Sequence, residues 1–430
     1  GAPTFDRKRI LMVASNSPQA IVIGAGPAGC TAATLLAQQG VSTMLLEREK
    51  GPRFHIGESL MPDTYWTFRR LGILDQMKAG PCVKKYSVQF VNESGKESHP
   101  FYFFENNPHE SSHTWQVVRS EFDQMMLQNA ARHGVHVREG ARVLDVLFEG
   151  DRATGVRVQF QDGGTETIRC QVVVDATGQS SLIASRLKLR EPDPLLRKAS
   201  VWTYYQGAHR EAGLDEGATL VLATQGKRGW FWYIPQHNDI VSVGVVSDLD
   251  YLLAKDRGDA EAIFHQEVER CPAVKKRIEV GKRVTGFYTT KDFSYRSRQL
   301  AGPGWVLVGD AFGFLDPIYS SGVFLALKSG EMAADAIAEG FRSGDLSAEQ
   351  LGKWGPTFTR GMDRMKRLVM AFYEGVSFGQ FLRKYPHCKR AVTDLLIGDV
   401  FKDSVDCIIE PMQAFIEEMS AMNRSEMVRS

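Results

Sequence analysis

Little in this sequence ties it to a metal, a membrane or nucleic acid. The six cysteines (Cys30, Cys82, Cys170, Cys271, Cys388 and Cys407) are scattered, with no Cys-x-x-Cys pair and no histidine at zinc-ligand spacing. That argues against a disulfide framework or a structural metal and suits a reducing cytosol, so a cytoplasmic setting is expected. His109 and His113 are four apart in a proline-containing segment, which is a poor metal site. Charge of one sign is missing too: 52 basic residues face 51 acidic ones, leaving no field to draw nucleic acid or an anionic membrane. The longest apolar-looking run, residues 20–37, is broken by glycines and threonines and does not read as a membrane span. At the start, Arg7, Lys8 and Arg9 precede only a short apolar piece, residues 10–13, so residues 1–18 are expected to be a dispensable extension. There is no internal repeat and no low-complexity tract. With 43% hydrophobic and 24% charged residues over 430 positions, the chain has room for two domains or one large interlaced one.

The first positive signal lies in residues 19–47. Residues 20–23 read as a buried strand and run straight into Gly24-Ala25-Gly26-Pro27-Ala28-Gly29. A helix follows to Gln39, Gly40 caps it, and residues 41–46 form a second strand that ends in Glu47. This strand, glycine loop, helix, strand and acid sequence is the dinucleotide-binding fingerprint. The first glycine allows a tight turn, the second lets backbone approach a pyrophosphate, and the third lets helix pack on sheet. Glu47 then stands where a carboxylate takes adenosine ribose hydroxyls.

Two later turns have the same character. One strand reading, residues 167–175, ends in Asp175-Ala176-Thr177-Gly178. Another apolar strand ends in Gly309-Asp310, where a short carboxylate can accept from a ribityl hydroxyl. The chain then turns through Pro317, Ser320, Ser321 and Gly322 into a helix expected near Val323, whose free N–H groups form an anion site. Residues 83–91, 135–148 and 155–161 also read as strands. Residues 120–133 read as a helix with Ser120 and Asp123 spaced as a capping pair. Residues 195–290 alternate with strand period and carry many aromatics; beyond Val323 the pattern is helical, with Pro356 and Pro386 as breaks. Met412, Met419 and Met422 are expected to pack one face of a terminal helix, and His55 reads as a structural histidine. A single glycine fingerprint leaves no second unit for a nicotinamide.

In Gly229-Trp230-Phe231-Trp232-Tyr233-Ile234-Pro235, alternation sends Trp230, Trp232 and Ile234 to one face of a strand and Phe231 and Tyr233 to the other. On residues alone this equally describes a sheet packed with aromatics on both faces. Similarly, Lys84-Lys85 alone could be two solvated lysines.

Taken together, the chain resembles the flavin-dependent halogenases from about residue 21 to residue 340. Their Trp-x-Trp-x-Ile-Pro motif is present as Trp230, Trp232, Ile234 and Pro235, and their Phe-x-x-Pro-x-x-Ser-x-Gly motif as Phe314, Pro317, Ser320 and Gly322. The resemblance also takes in Gly57-Glu58-Ser59 and the stretch leading to Arg119. It implies cofactor contacts at Gly24, Gly26, Ala28, Gly29, Glu47 and Arg48, at Gly57, Glu58, Ser59 and Arg119, and at Gly178, Asp310, Gly322 and Val323. It implies halide contacts at Ser321 and Gly322, and tryptophans that discourage a monooxygenase outcome. An essential lysine five residues before a strand phenylalanine maps onto Lys85 before Phe90, with Lys84 the lesser candidate. Tryptophan halogenases have glutamate where this chain has Tyr319, which favours the branch acting on phenols or pyrroles.

The expected fold is α/β: a three-layer FAD-binding Rossmann-like domain of the glutathione-reductase type, akin to p-hydroxybenzoate hydroxylase, with an inserted antiparallel substrate sheet and a helical C-terminus. Residues 19–80, 115–190 and 285–345 are expected in the first, 81–114 and 191–284 in the second, and 346–430 in the third. The implied activity uses FADH2 and O2 to oxidise chloride or bromide, through a flavin hydroperoxide, to hypohalous acid, which Lys85 relays to the ring. A separate flavin reductase is the implied partner, and the small aromatic substrate is free or carried by a carrier protein. A flavin monooxygenase, a reductase of the geranylgeranyl type and a non-catalytic flavin protein remain alternatives. Dependence on halide separates them.

Overall fold

The computed structural model describes residues 17–429; residues 1–16, most of the expected extension, lie outside them. A six-stranded sheet runs Ala301–Gly302, Trp305–Leu307, Val172–Asp175, Ala20–Ile23, Thr43–Glu47, His136–Glu139. Its pairs are parallel except for the hairpin at 301–307. Parallel strands buried on both faces need apolar side chains throughout, and the four residues of Ala20–Ile23 are all buried. Helices Pro27–Gln38, Arg119–Arg132 and Gly322–Ser343 lie on one face, and the three-stranded sheet Ala141–Glu149, Arg152–Phe160, Thr165–Arg169 packs on the other. That is the three-layer arrangement expected.

A nine-stranded sheet, antiparallel apart from one pair, forms the second body. Its order is Gly313–Phe314, Tyr288–Ser297, Arg190–Gln206, Ile240–Asp248, Gly229–Pro235, Thr219–Ala223, Ser87–Val91, Phe101–Tyr102, with Lys282–Arg283 beside Arg190–Gln206. Tyr288–Ser297 therefore belongs to this sheet, although the sequence reading assigned residues from 285 to the FAD-binding segments. The long apolar-and-polar alternation there gave no sign of where one sheet hands over to the other.

Several expected elements divide. The reading of 83–91 as one strand fails at Tyr86: Val83–Lys85 pairs with Thr114–Gln116 in a sheet of its own, and Ser87–Val91 joins the large one. Likewise 135–148 splits at Gly140, whose φ is +67°. The helix expected from Ser120 starts at Arg119, and neither Ser120 nor Asp123 caps it. Asp123 is instead held by the Arg119 and Arg53 guanidinium groups, which satisfy its carboxylate better than one backbone N–H.

The C-terminal part is helical, with Gly355–Tyr373, Phe378–Lys384, Lys389–Ile397 and Ile409–Arg429. Pro356 and Pro386 sit in the first turns of new helical segments, where a missing N–H costs nothing. Met412 is buried in the terminal helix but Met422 is 65% exposed, so the three methionines do not form one packed face. Among the described residues no helix is long and apolar enough to cross a membrane.

Gly229–Pro235 has the predicted two-faced character. Phe231 and Tyr233 join a core with Val243, Val245 and Phe264, while Trp230, Trp232 and Ile234 face the main core. Trp232 lies flat enough on its neighbour strand that a Cβ on Gly244 would stand 2.2 Å from the indole. Gly244→Ala is expected to lower stability by about 1–3 kcal/mol through overpacking. The same change beside Trp232→Ala should cost far less, and thermal melting of the four proteins gives the coupling directly. Equal losses in both backgrounds would contradict the contact.

Candidate active site

The glycine loop divides its labour as the fingerprint demands. A Cβ on Gly24, at φ +104°, would lie 2.3 Å from the Ala176 carbonyl oxygen, and one on Gly29 would lie 1.9 Å from the Gly24 carbonyl oxygen. Both positions are closed by packing. Gly26 differs: among the described residues nothing lies within 4 Å of its Cβ position, and it opens on a cavity of about 770 Å³ at the start of helix Pro27–Gln38. Glu47 also borders that cavity, with one carboxylate oxygen accepting from the Ala25 N–H (2.9 Å) and from Arg53 (2.9 Å) and the other from the Glu49 N–H (3.1 Å). Arg53, only 8% exposed, also donates to the Ala25 carbonyl at 2.6 Å. It braces loop and acid together. Sequence reasoning missed it because it sits in a loop without a motif.

The two later turns meet the first. Asp175 accepts from the Thr177 and Ile183 N–H groups at 3.0 and 2.8 Å, which fixes the turn that brings Gly178 to the cavity. Gly309, at φ +58°, packs so closely on Ala28 that a Cβ would lie 2.9 Å from the alanine methyl. Asp310 beside it is half-buried, and desolvation pushes its carboxyl up to about 6 while Arg119 and Arg190 pull the other way. Arg119 clamps Asp123 through two bonds of 2.8 and 3.0 Å and donates to the Ile56 carbonyl at 2.8 Å. That bond ties the helix to the loop carrying Gly57 and Glu58. Glu58 accepts from the Tyr204 hydroxyl, its Oε2 is buried without a partner, and desolvation raises its carboxyl to about 7. Arg48, His55, Gly57 and Val323 border the same cavity.

The far wall is the tryptophan face of the large sheet. Trp230, Trp232, Ile234, Phe314, Pro317 and Ser320 line it, so both motifs share one space with the glycine loop. Pro235 and Gly29 are not in the lining. Trp230 Nε1 donates to the Tyr373 hydroxyl (3.0 Å), which donates to Asp316 Oδ2 (2.9 Å), while Asp316 Oδ1 accepts from the Ile318 N–H (3.1 Å). A residue of the C-terminal helices thereby holds both motifs, a link no local pattern reveals. Ser320 adopts the left-handed conformation at φ +59° and turns the chain into helix Gly322–Ser343. Among the described residues, Gly322 borders the cavity with no neighbour at its Cβ position, and Ser321 is fully buried behind it with no partner for its hydroxyl. Tyr319, where tryptophan halogenases carry glutamate, points away and donates to the Leu368 carbonyl at 3.2 Å.

The two lysines separate cleanly. Lys84 is exposed, and Lys85 is buried to 1% exposure. Its Nζ donates to Ser59 Oγ at 2.9 Å and to the Leu60 carbonyl at 2.8 Å, with the Phe103 ring centre 5.8 Å away. Desolvation lowers its pKa from 10.5 to about 7. Lys85 does not itself border the cavity, whereas Ser59 does. One amine and one cavity meet at one hydroxyl.

The open face at Gly26, the helix N-terminus behind it and the acid at Glu47 fit a dinucleotide, and the adjoining aromatic wall fits a flavin ring. Gly26→Val should therefore abolish FAD retention, read from flavin absorbance after gel filtration, while the melting temperature of the flavin-free protein stays near the parent's. Gly29→Val, which drives a side chain into Gly24 backbone, should lower that melting temperature as well. Full flavin retention by Gly26→Val would remove this loop from the cofactor site.

Comparison with known proteins agrees with this geometry. The family model described as FAD binding domain matches residues 18–342. The chain is 32% identical to a sulochrin halogenase of Aspergillus terreus over 386 residues, covering 84% of this chain and 70% of that protein. It is 32% identical to a 1H-pyrrole-2-carbonyl-(peptidyl-carrier protein) brominase of Pseudoalteromonas luteoviolacea, covering 76% and 78%. The solved flavin-dependent brominase Bmp2 superposes with a TM-score of 0.83 at 29% identity, covering 94% of this chain and 99% of that one. Likeness of this extent, in sequence and in fold, leaves one conclusion: the chain belongs to the flavin-dependent halogenases, FAD enzymes that use chloride or bromide.

Proposed function

We propose that this enzyme halogenates an electron-rich phenolic or pyrrolic ring, and that Lys85 is the residue that hands over the halogen. The observation that carries this is the Lys85 amine, buried beside the cavity wall and held at a pKa near 7 by desolvation alone. Reduced FAD with O2 supplies the oxidising power that converts halide to hypohalous acid. Gly26 would face the cofactor, Gly24 and Gly29 close the loop behind it, and Glu47, Arg53 and Arg119 brace the loops around it. The halide is held at the turn around Ser321 and Gly322, where the first N–H groups of a 22-residue helix have no intrahelical acceptor. Trp230 and Trp232 form the cavity face of the large sheet opposite the cofactor loops, the position from which they would disfavour direct oxygen insertion.

Near neutral pH a large share of the Lys85 amine is uncharged. Its nitrogen can attack the halogen of hypohalous acid: an N–halogen bond forms, the halogen–oxygen bond breaks, and hydroxide leaves with the amine proton as water. Transfer to the ring regenerates the amine as the ring proton is lost. Enclosure keeps the oxidant from the protein's own methionines and thiols. The absence of glutamate at Tyr319 fits a ring whose own heteroatom supplies the electrons. Relatives named for pyrrole on a peptidyl carrier, a brominase and a chlorinase, support a tethered substrate. A separate flavin reductase is the proposed source of FADH2, and six free thiols suit the reducing cytosol proposed as its setting.

The test is mass spectrometry of activated phenols and of pyrrole-loaded carrier protein, incubated with enzyme, FAD, a flavin reductase and bromide. Product should need bromide or chloride, and Lys85→Met should retain FAD yet lose product by at least about 100-fold, the scale of a removed nucleophile. Halide-free turnover to a hydroxylated product would overturn the halogenase reading for these substrates. Product formation by Lys85→Met would remove the lysine from it.

A further inference from the structure

The Lys85 amine bonds the Ser59 hydroxyl, which stands with that of Thr219 at the cavity. Ser59 Oγ lies 2.8 Å from Thr219 Oγ1, and Gln116 Nε2 donates to that same Thr219 oxygen at 2.8 Å and to the Gly217 carbonyl at 2.9 Å. Ser59, Thr219, Gln116 and Lys85 are all at most 5% exposed. Ser59 and Thr219 border the cavity; Gln116 and Lys85 stand behind them. The backbone reinforces the knot: Lys85 pairs with Thr114 across the small sheet, and Ser59 forms an isolated bridge with Gln116.

Proton counting shows what this knot does. A neutral amine has two N–H bonds and one lone pair. Ser59 Oγ and the Leu60 carbonyl take both N–H groups, which leaves the lone pair as the unengaged direction. The ammonium would carry a third proton with no acceptor among these contacts. The pair of acceptors therefore satisfies both N–H groups of the neutral amine and sets the line along which it can react. The Ser59 hydroxyl, accepting from Lys85 and bonded to Thr219, has little left with which to hold a cofactor, so its cavity-facing position is better explained as the partition.

Building on the reading of Lys85 as the halogen-transferring group, we propose that Ser59 is its positioning residue and, with Thr219, forms the hydroxyl gate through which the cavity reaches the amine. Ser59 is distinguished from a mere packing residue by three expectations. Ser59→Ala keeps FAD, read by flavin absorbance, but brominated product falls by at least tenfold. Loss of an acceptor for the charged amine also moves the pH profile of product formation to lower pH, because hydrogen bonds to an ammonium are stronger than those to an amine. Ser59→Thr, which restores a hydroxyl, recovers most of the product and the parent profile. Thr219→Val, nearly isosteric, gives the same direction of change in a smaller amount.

Lys85→Met is run beside them so that two failures stay distinct. If Lys85→Met is inactive while Ser59→Ala matches the parent in rate and pH profile, the gate is wrong and the lysine reading stands. If Lys85→Met is active, the lysine reading falls and the gate with it. If Ser59→Ala loses its flavin, Ser59 is a cofactor contact and the proposal is overturned.

Discussion

Burying an amine is the constraint around which this site is organised. A lysine nitrogen removed from water must surrender its proton or find acceptors for it, and Lys85 has two acceptors and a pKa lowered to about 7. Supplying them requires three separate pieces of chain to arrive together: the short strand Val83–Lys85, its partner Thr114–Gln116, and the loop that carries Ser59 and Leu60. The strand breaks at Tyr86, and the small two-stranded sheet holds Lys85 against Ser59.

The rest of the site follows from how two sheets share one cavity. The parallel sheet brings three turns to the same end: close packing leaves no Cβ room at Gly24, Gly29 and Gly309, and the Asp175 carboxylate fixes the third turn. The large sheet brings one face of alternating tryptophans. What keeps that face in register with the turn at Pro317–Tyr319 is a partly buried chain from Trp230 through Tyr373 to Asp316. Asp316 is fully buried and its carboxyl is pushed up to about 6 by desolvation, partly offset by the Tyr373 hydroxyl and the Ile318 N–H. The C-terminal helices therefore do more than cover the core; one of them sets the position of a motif side chain.

How much of this was legible in sequence depended on how local each signal is. The glycine loop was readable because every role in it is played within ten residues of a strand. The two-faced tryptophan strand was readable because strand period fixes which side each residue takes. The identity of the buried lysine came only from the family's spacing to Phe90, since neighbouring residues in a three-residue strand give no periodicity to count. Arg53, Tyr204, Gln116 and Tyr373 were invisible because they stand 6 to 146 residues from the partners they hold and carry no motif of their own. Asp123 misled for the opposite reason: its local spacing to Ser120 fits a cap, but two arginines outbid a single backbone N–H. The handover of Tyr288–Ser297 to the large sheet was hidden because no change of period marks residue 285 as a boundary.

The central claim is that Lys85 is buried as an amine, and its protonation is measurable without catalysis. A lysine titrating near 7 when folded and near 10.5 when unfolded binds more protons in the unfolded chain between those values. Its contribution to stability therefore rises with pH through that window, and its penalty is fullest below it. Melting temperatures of the parent and of Lys85→Met, compared from about pH 6 to about pH 10, isolate that term from every other titrating group. The account predicts that the variant's melting temperature, relative to the parent's, is highest near pH 6 and falls steadily as pH rises. A difference that stays constant across the range would mean the amine keeps its ordinary pKa in the folded protein and is not enclosed as described.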